Sequence, residues 1–425
     1  MRVFILGSYA PSLINFRGPL IRAMVAQGHS VIAAAPDMDN RTARDLQALG
    51  ARPLSVPLNR RGMNPLRDLA SVGELVRVLR REAPDVMLSY TIKPSVYGSV
   101  AARFAGVPRI HAMVEGAGYA FSGTGLRRTL LATVAGGLYR LGLGVCHSVF
   151  FLNEDNRQFF LTHRLISASQ RTCLLNGTGI DLAHYAPVPL PPEYAERPVF
   201  LCIARLLREK GVAIFAEAAR LAQADFPHAV FRLVGPADAG ADSIPREEVD
   251  AWRQWLDIPG PVDDVRPDIA CCAVYVLPSF HEGVPRTTLE AMSMGRAVLT
   301  TNAVGCRETV RPGPNGFSGF HNHADQMDTV APVYQTGQTD QMGQMGQISQ
   351  MGENGIMVPV GDAPALANAM RFLLRNPERI ANMGAASRRY AEDRFDVHAV
   401  NAVMLREMGL LEEVTPPPIP RIGED

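Results

Sequence analysis

The clearest strand–turn–helix pattern in the sequence occupies residues 274–292, which read Val274-Tyr275-Val276-Leu277-Pro278-Ser279-Phe280-His281-Glu282-Gly283-Val284-Pro285-Arg286-Thr287-Thr288-Leu289-Glu290-Ala291-Met292. Residues 274–278 form an apolar run of strand length. Pro285 suits the first position of a helix, because the amide hydrogen that proline lacks would have no partner there. The backbone amides of Val284, Arg286 and Thr287 would then be free at a helix N-terminus, which favours an anion such as a diphosphate. The pattern therefore predicts a buried strand, a turn and an anion site where the helix begins.

Similar patterns continue in both directions from this stretch. In the second half, apolar runs and helical patterns alternate over Val199–Ile203, Val212–Ala222, Val230–Val234 and Ala297–Thr301. The first half repeats the alternation over Val3–Leu6, Pro19–Gln27, Ser30–Ala35, Val86–Ser89, Arg109–Met113 and Ser148–Leu152. Continuous apolar strands that alternate with helices indicate parallel sheets covered on both faces. We therefore expect an α/β protein whose two doubly wound, Rossmann-like domains face each other across a cleft, at the carboxyl ends of their strands.

A proline-rich connector marks the expected domain boundary. Its prolines are Pro187, Pro189, Pro191, Pro192 and Pro198. We expect an N-terminal domain over 1–190, a second domain over 191–380, and helices over 381–411 that pack back on the first domain. The proline-rich residues 412–425 predict a disordered tail. A segment rich in Gln, Gly and Met at about 318–353 predicts a flexible surface insertion, with a methionine surface that docks a partner or a membrane as the alternative.

Composition excludes several classes of protein. Hydrophobic residues make up 47% of the chain and charged residues 20%, which is typical of globular proteins. The six cysteines include no Cys-x-x-Cys pair, so neither a zinc framework nor a disulfide scaffold is expected. No apolar run approaches the roughly 18 residues of a membrane span, and the first residues lack the apolar run of a signal peptide. These features favour a cytoplasmic protein, and no basic stripe with interleaved aromatic residues indicates nucleic-acid binding.

Charge is distributed unevenly although the net charge is zero. Residues 1–195 contain 21 Lys and Arg against 12 Asp and Glu, so the first half is basic and the second half acidic. A basic half indicates an anionic partner or surface on that side, with chance segregation of exposed charge as the alternative. Residues 125–139 add apolar residues at helical spacing beside Arg127 and Arg128, which is typical of a helix in a membrane interface. A core helix of the first domain is the alternative.

Two pairs of charged residues are candidates for chemistry. Arg205 and Lys210 follow the first strand of the second half, five residues apart across a turn, so both cations could converge on a diphosphate. Their role would be to neutralise charge as a nucleoside diphosphate leaves. Glu282 precedes the predicted helix and Glu290 lies within it, so both could reach one mouth and bind sugar hydroxyls. The alternatives are an exposed Arg-Glu-Lys run, a carboxylate that only complements the helix start, and an ordinary helix glutamate.

The ordered set of motifs resembles the retaining glycosyltransferases of family 4, which have the two-domain GT-B fold. The resemblance includes Glu282-x7-Glu290, Arg205 with Lys210, Thr91-Ile92-Lys93-Pro94, Gly116–Phe121, Asn153-Glu154-Asp155, Asn176–Asp181, Gly305-Cys306-Arg307-Glu308 and Asn354–Asp362. It extends along nearly the whole chain. These motifs look most like the bacterial subgroup that adds N-acetylhexosamines to sugars linked to undecaprenyl diphosphate.

The resemblance implies a role for each matching residue. Glu282 is expected to orient the donor sugar, Glu290 to bind the donor ribose, and Arg205 and Lys210 to bind the diphosphate. The other donor-binding candidates are Gly18, Gly283, Val284, Pro285 and Leu289, although many relatives have two adjacent glycines where this chain has only Gly18. The acceptor-side candidates are Lys93, Glu115 and Gly116. Many relatives have a histidine in the loop that contains Glu115, whereas the nearest histidine here, His111, is predicted on the strand and is assigned no catalytic role.

The resemblance also implies the reaction. We expect transfer of a sugar, an N-acetylhexosamine by preference, from a UDP-sugar to a polyprenyl-diphosphate-linked or other envelope glycan, with retained configuration and with no metal or other cofactor. The expected partners are the nucleotide-sugar donor, the lipid-linked glycan acceptor and the anionic inner face of the membrane, where the protein would be peripheral. Two alternatives remain open, namely a sugar-nucleotide epimerase or phosphorylase of the same architecture, and a non-catalytic subunit of a polysaccharide assembly complex.

Overall fold

The computed structural model describes residues 1–58, 65–116, 126–240, 242–320, 331–332 and 349–411. The predicted tail at 412–425 and most of the predicted insertion therefore lie outside the described residues. The same holds for the side chains of 126–131, which include the arginines of the predicted membrane helix.

The first domain is built on a parallel sheet, in which seven strands are described with the order β3-β2-β1-β4-β5-β6-β7. The strands are β1 Arg2–Leu6, β2 Ser30–Ala35, β3 Arg52–Ser55, β4 Val86–Tyr90, β5 Arg109–Val114, β6 Ser148–Phe151 and β7 Thr172–Leu174. The helices are α1 Ala10–Asn15, α2 Gly18–Ala26, α3 Asn40–Ala48, α4 Pro65–Glu82, α5 Ser99–Ala105, α6 Leu126–Leu143 and α7 Glu154–Thr162, with a π-helical turn at Pro94–Gly98.

Successive strand residues of this sheet pack into two different apolar cores. Phe4 and Met87 belong to the core on one face, whereas Ile5 and Leu88 belong to the core on the other. All four side chains are completely buried. The continuous apolar runs in the sequence reflect this burial on both faces, and replacing Phe4 with Ala would cost about 3–5 kcal/mol of stability.

The second domain has a mixed sheet with the order β10-β9-β8-β11-β12-β16-β15-β13-β14 over the described residues. Its strands are β8 Val199–Ile203, β9 Val230–Val234, β10 Asp257–Gly260, β11 Val274–Leu277, β12 Ala297–Thr301, β13 Ser318–Phe320, β14 Ala331–Pro332, β15 Ser349–Met351 and β16 Gly355–Val358. Its helices are α8 Val212–Gln223, α9 Arg246–Trp252, α10 Arg266–Cys271, α11 Arg286–Ser293 and α12 Ala363–Arg375. The strands from β10 to β16 in this order are parallel, and β15, β13 and β14 extend them in antiparallel pairing.

The ends of the predicted insertion belong to this sheet. Residues 318–320 pair with residues 349–351, and Ser349 and Gln350 are buried. The expectation of an insertion over about 318–353 was therefore too wide. Strands of three residues are too short to give a periodic signal, and the Gln- and Gly-rich composition beside them concealed their pairing.

The C-terminal helices divide between the two domains. Helix α13, Pro377–Arg394, packs against α11 and β12 of the second domain, whereas α14, Val397–Glu407, packs against α2 of the first. Two backbone hydrogen bonds hold the segment where the chain returns from the second domain to the first. The Ile180 amide donates to the Phe395 carbonyl, and the Val397 amide donates to the Ile180 carbonyl. The expectation that all of 381–411 packs on the first domain is thus correct only from about residue 395 onward.

Candidate active site

A cleft of about 660 Å³ lies between the two domains. Both sheets point the carboxyl ends of their parallel strands into it, which is where open α/β sheets bind ligands. The first domain contributes residues from the loops after β4 and β5 and from α6 and α7, including Thr91, Ile92, Glu115, Gly116, Tyr139, Asp155, Gln158, Phe159 and His163. The second domain contributes Glu209, Lys210, His281, Glu282, Gly283 and Val304.

Lys210 and Glu282 form an ion pair inside the cleft. The Lys210 ammonium donates to Glu282 Oε1 at 2.7 Å, and the side chains are only 18% and 15% exposed. Lys210 ends a short 3-10 turn after β8, and Glu282 stands in the loop after β11. An ammonium has three donors, so Lys210 can hold Glu282 and still donate to a phosphate oxygen.

The turn that carries Lys210 depends on a glycine. Gly211 has a φ of 69°, and a Cβ at this position would collide with the backbone carbonyl of Pro278, at the end of β11. Only glycine avoids both the left-handed penalty and the collision. Close packing of the β8 and β11 loops is therefore what brings Lys210 to Glu282.

Helix α11 begins at the cleft without a side-chain cap. Pro285 is its N-cap residue, with φ −70° and ψ 114°, and the first helical residue is Arg286. Pro285 is therefore the N-cap residue of α11 and not, as expected, its first helical residue. The first amides of a helix have no partners within it, and they attract an anion. Gly283 lies just before, with no room for a Cβ beside the Glu115 carbonyl of the first domain.

Two other donor-binding candidates have buried side chains. Val284 is buried, and a Cβ at Gly177 would stand 3.0 Å from the Val284 Cβ. Leu289 is completely buried in the core. Its side chain therefore does not reach the cleft, and the donor contact expected for Leu289 stays a prediction.

Glu290 lies apart from Glu282. Its Oε1 accepts hydrogen bonds from the Tyr185 hydroxyl and from Arg286 Nε, both at 2.9 Å, and the carboxyl is almost completely buried. Burial raises the pKa of Glu290, and the Arg286 charge opposes that rise. The shared mouth expected for the two glutamates is not observed, because Glu282 stands in the loop that lines the cleft, whereas Glu290 is the fifth residue of α11 and is buried. Arg286 also contacts the first domain, with its guanidinium 5.2 Å from the ring centre of Phe16.

Arg205 forms its own ion pair within the second domain. Its Nη1 donates to Asp238 Oδ2 at 2.8 Å, its side chain is 51% exposed, and it does not line the cleft. Convergence of Arg205 and Lys210 on one diphosphate therefore stays a prediction. Asp238 follows β9, and nothing in the sequence connected it with Arg205.

The acceptor-side candidates differ in their surroundings. Glu115 and Gly116 line the cleft, and a Cβ at Gly116 would stand 3.4 Å from His281 Nε2 of the other domain. Burial lowers the pKa of His281. Lys93 instead forms a 2.8 Å ion pair with Asp68, and it is not among the residues that line the cleft.

Gly18 begins α2 and also stands back from the cleft. The nearest atom to a Cβ there is 3.6 Å away, on Leu49. The described residues therefore leave room for a side chain, and they give no structural reason for glycine at this position.

Sequence reasoning missed Arg17, which is almost completely buried and donates to Glu115 Oε1 at 2.5 Å. Arg17 belongs to the Asn15–Pro19 stretch beside Gly18, and a cation just beyond the first strand was the available signal. Asn153 belongs to a motif of the resemblance but was assigned no role, and its side-chain amide donates across the cleft to the Gly283 carbonyl. In the described part of the chain no group of three His, Cys, Asp or Glu residues could hold a metal, and no helix there could cross a membrane.

A second hollow, of about 760 Å³, lies at the amino ends of β9 and β10. It is lined by residues of one domain, among them Arg197, His228 and Trp255. The amino ends of parallel strands are not the usual ligand side of such sheets, so the interdomain cleft is the better candidate.

Two family models match the chain. The model described as "Glycosyl transferase 4-like domain" matches residues 17–171, and the model described as "Glycosyl transferases group 1" matches residues 197–331. The matches thus fall on the first and second sheets respectively.

Two curated proteins are similar in sequence. One is the N,N'-diacetylbacillosaminyl-diphospho-undecaprenol alpha-1,3-N-acetylgalactosaminyltransferase of Campylobacter jejuni, 29% identical over 73% of this chain and 83% of the relative. The other is the UDP-Gal:alpha-D-GlcNAc-diphosphoundecaprenol alpha-1,3-galactosyltransferase of Escherichia coli, 27% identical over 63% of this chain and 70% of the relative.

Solved structures share the architecture. Anabaena Alr3699/HepE in complex with UDP superposes with a TM-score of 0.68 at 17% identity, over 97% of this chain and all of that one. Sucrose-phosphate synthase from Thermosynechococcus elongatus gives 0.71 at 17% identity, over 96% and 98%. Because the two family matches together span more than half of the 425 residues, the chain belongs to the group 1 and 4-like glycosyltransferases and has their two-domain GT-B fold.

Proposed function

We propose that this glycosyltransferase moves a sugar, preferably an N-acetylhexosamine, from a UDP-sugar to a glycan carried on a polyprenyl diphosphate. Two observations support the substrates. Both curated relatives are named for undecaprenyl-diphosphate acceptors, and the name of one specifies UDP-Gal. Their names also specify alpha-1,3 linkages, which is consistent with transfer that retains the configuration of an α-linked donor.

The observation that carries the proposal is the Lys210–Glu282 pair in a cleft lined by both domains. Glu282 would accept hydrogen bonds from hydroxyls of the donor sugar. Lys210 and the first amides of α11 would bind the diphosphate and stabilise its growing charge as the sugar departs.

The proposed step forms one bond and breaks one. The acceptor oxygen attacks the anomeric carbon, the bond from that carbon to the diphosphate oxygen breaks, and UDP leaves with the bonding electrons. The acceptor proton passes to the departing diphosphate. We place no covalent carboxylate intermediate in this step, because Glu282 is already engaged by Lys210 at 2.7 Å.

We also propose that transfer needs no metal, since Lys210 and the α11 amides supply the positive charge that the leaving group requires. Treatment with EDTA followed by buffer exchange should leave the rate within about twofold of the untreated enzyme. A large loss that Mg²⁺ or Mn²⁺ restores would contradict this part of the proposal.

The acceptor would approach along the first domain from the cytoplasmic face of the membrane. Val134 and Leu141 of α6 and Leu69 of α4 expose large parts of their apolar side chains. We propose that this side of the first domain contacts anionic lipid. Sedimentation with vesicles should show binding that increases with the anionic lipid fraction, and indifference to lipid charge would contradict it.

The decisive experiment is product analysis. Purified protein is incubated with UDP-GlcNAc, UDP-GalNAc or UDP-Gal, with and without polyprenyl-diphosphate glycans, and the glycolipid is examined by mass spectrometry. We expect UDP release coupled to a glycolipid larger by one sugar, and about 10²–10³ times slower formation of that product with Lys210→Met. Conversion of the UDP-sugar to an epimer without acceptor would indicate an epimerase instead. UDP binding with no turnover over any acceptor would indicate a binding subunit.

A further inference from the structure

Arg17 is a charged side chain buried in the first domain next to the cleft. It lies between α1 and α2, beyond the carboxyl end of β1, and is only 2% exposed. Burying a guanidinium costs several kcal/mol unless its charge is paired. The charge is paired by Glu115, whose Oε1 accepts from Arg17 Nη2 at 2.5 Å.

Arg17 is packed and paired within the first domain. The guanidinium stacks on the ring of Tyr90, 4.5 Å from its centre, at the end of β4. The Tyr90 hydroxyl in turn bonds to Ser12 Oγ at 2.7 Å, and burial raises the pKa of Tyr90 to about 12, so it stays neutral. Gly7 leaves room for this tyrosine, because a Cβ there would overlap the Tyr90 ring. Residues at or beyond the carboxyl ends of β1, β4 and β5 therefore surround the guanidinium.

Glu115 is the part of this network that reaches the cleft. It follows β5 directly, its side chain is one third exposed, and it lines the same cleft as Lys210 and Glu282. Within the described part of the chain, Arg17 is the only donor recorded to its side chain, so Oε2 keeps its capacity to accept. The Glu115 carbonyl also lies against Gly283, the residue after Glu282. The Glu115 backbone thus meets the loop that carries Glu282, from the first-domain side of the cleft.

We propose that Glu115 accepts a hydrogen bond from the attacking hydroxyl of the acceptor, and that Arg17 is the positioning residue that aims it. The inference rests on the proposed function, since it assigns the acceptor half of the same site. The new bond joins the acceptor oxygen to the anomeric carbon, and UDP leaves with the electrons of the broken bond. The proton passes to the departing diphosphate, and Glu115 remains a carboxylate paired with Arg17. Its role is orientation, which is worth about 100-fold when an attacking group is displaced by about 1 Å.

The test compares Arg17→Met, Arg17→Lys and Glu115→Gln with the wild type. Arg22→Met is the matched control, because Arg22 is an exposed arginine on the neighbouring helix α2. Three quantities are measured for each protein, namely UDP affinity by calorimetry, transfer to the lipid-linked acceptor, and slow hydrolysis of the UDP-sugar without acceptor. In hydrolysis, water takes the place of the acceptor hydroxyl.

We expect Arg17→Met and Glu115→Gln to lower kcat for transfer and for hydrolysis by about 100-fold while UDP affinity stays within about threefold. Arg17→Lys should lose less kcat than Arg17→Met, because lysine keeps the positive charge but lacks the planar guanidinium. Arg22→Met should match the wild type. Normal turnover by Arg17→Met would overturn the inference. A parallel loss of UDP binding and turnover would also overturn it, since Arg17 would then only support the fold.

The proposed function is judged on the wild type alone. If the wild type transfers nothing to lipid-linked glycans, the acceptor assignment fails. The ratio of variant to wild-type hydrolysis still decides the role of Arg17, and equal rates there would contradict it.

Discussion

At the scale of single residues, Lys210 and Glu282 acquire their chemistry from partial burial. Their side chains are less than one fifth exposed, so the attraction between them is screened less than that of a surface pair. The same shielding strengthens the interaction of Lys210 with a bound diphosphate. Glu282 would lose its partner if the lysine were removed.

We predict that Lys210→Met lowers kcat by about 10²–10³, because the leaving diphosphate loses its cation. Steady-state kinetics with the lipid-linked acceptor measure this. Arg208→Met is the matched control, since Arg208 lies in the same turn but pairs with Glu248 outside the cleft. Its rate should stay within about twofold, and an equal loss in both variants would contradict a specific role for Lys210.

The buried His111 makes the free energy of unfolding depend on pH. Burial is the main cause that lowers the pKa of His111 to about 4, and its Nδ1 lies 2.8 Å from Ser148 Oγ. The unfolded chain binds this proton near pH 6.5, whereas the folded protein does not until about pH 4. Stability therefore falls as the pH drops through this window.

We predict that protonation of His111 alone lowers the free energy of unfolding by about 2 kcal/mol when the pH falls from 7 to 5. Urea unfolding of the wild type and of His111→Gln at both pH values tests it. The variant should show a smaller drop between the two pH values, whatever its stability at pH 7. Equal drops in the two proteins would mean that His111 is not the group that titrates.

The sequence predicted which residues carry charge at the site more successfully than it predicted their partners. Lys210 and Glu282 were identified from the turns that follow apolar strands, and the structure brings them together. Arg205 and Glu290 instead bond to Asp238 and Tyr185, which are 33 and 105 residues away in the chain. Such partners depend on how distant loops pack, and no local pattern contains that information.

At the scale of elements, glycine at 211 sets the geometry of the turn before α8. We predict that Gly211→Ala destabilises the protein at least twice as much as Gly28→Ala and also lowers transfer. Both glycines have a positive φ, which costs alanine about 1–2 kcal/mol. A Cβ at Gly28 meets nothing within 4 Å, whereas at Gly211 it collides with the Pro278 carbonyl.

Chemical unfolding of the two variants measures the difference. Gly28→Ala should keep full transfer activity, since Gly28 precedes β2 at the amino end of the sheet, whereas the cleft lies at the carboxyl ends of the strands. Equal stability losses in the two variants would show that the loop around Lys210 relaxes without strain.

The central strands were predictable because they are buried on both faces. Ser30–Ala35, Val199–Ile203 and Val230–Val234 have the same limits in sequence and structure. The strands at the outer edges of the parallel arrays, β3, β7 and β10, were missed. They are short and partly exposed, and β3 and β10 contain prolines, so they lack the continuous apolar run of a central strand.

At the scale of the whole molecule, Asn153 joins the two domains. Its Oδ1 accepts from the Asn156 amide and caps α7, while its Nδ2 donates to the Gly283 carbonyl of the other domain. The Arg307 and Asp155 side chains approach to 3.4 Å beside it. These polar contacts join α7 of the first domain to loops of the second beside the cleft.

We predict that Asn153→Asp separates these two roles of Asn153. An aspartate keeps the cap, but it places a carboxylate against the Gly283 carbonyl, so kcat/KM should fall about tenfold with little loss of stability. Asn153→Ala removes both bonds and should also cost about 1 kcal/mol of unfolding free energy. Kinetics and urea unfolding of both variants test this, and full activity in Asn153→Asp would contradict a role in closure.

The most direct measurement is a crystal structure of the protein with bound UDP. The account predicts that the diphosphate lies in the interdomain cleft, with an oxygen about 3 Å from Lys210 Nζ and another facing the first amides of α11. A diphosphate bound elsewhere, for example beside Arg197 and Trp255 at the amino ends of β9 and β10, would contradict it.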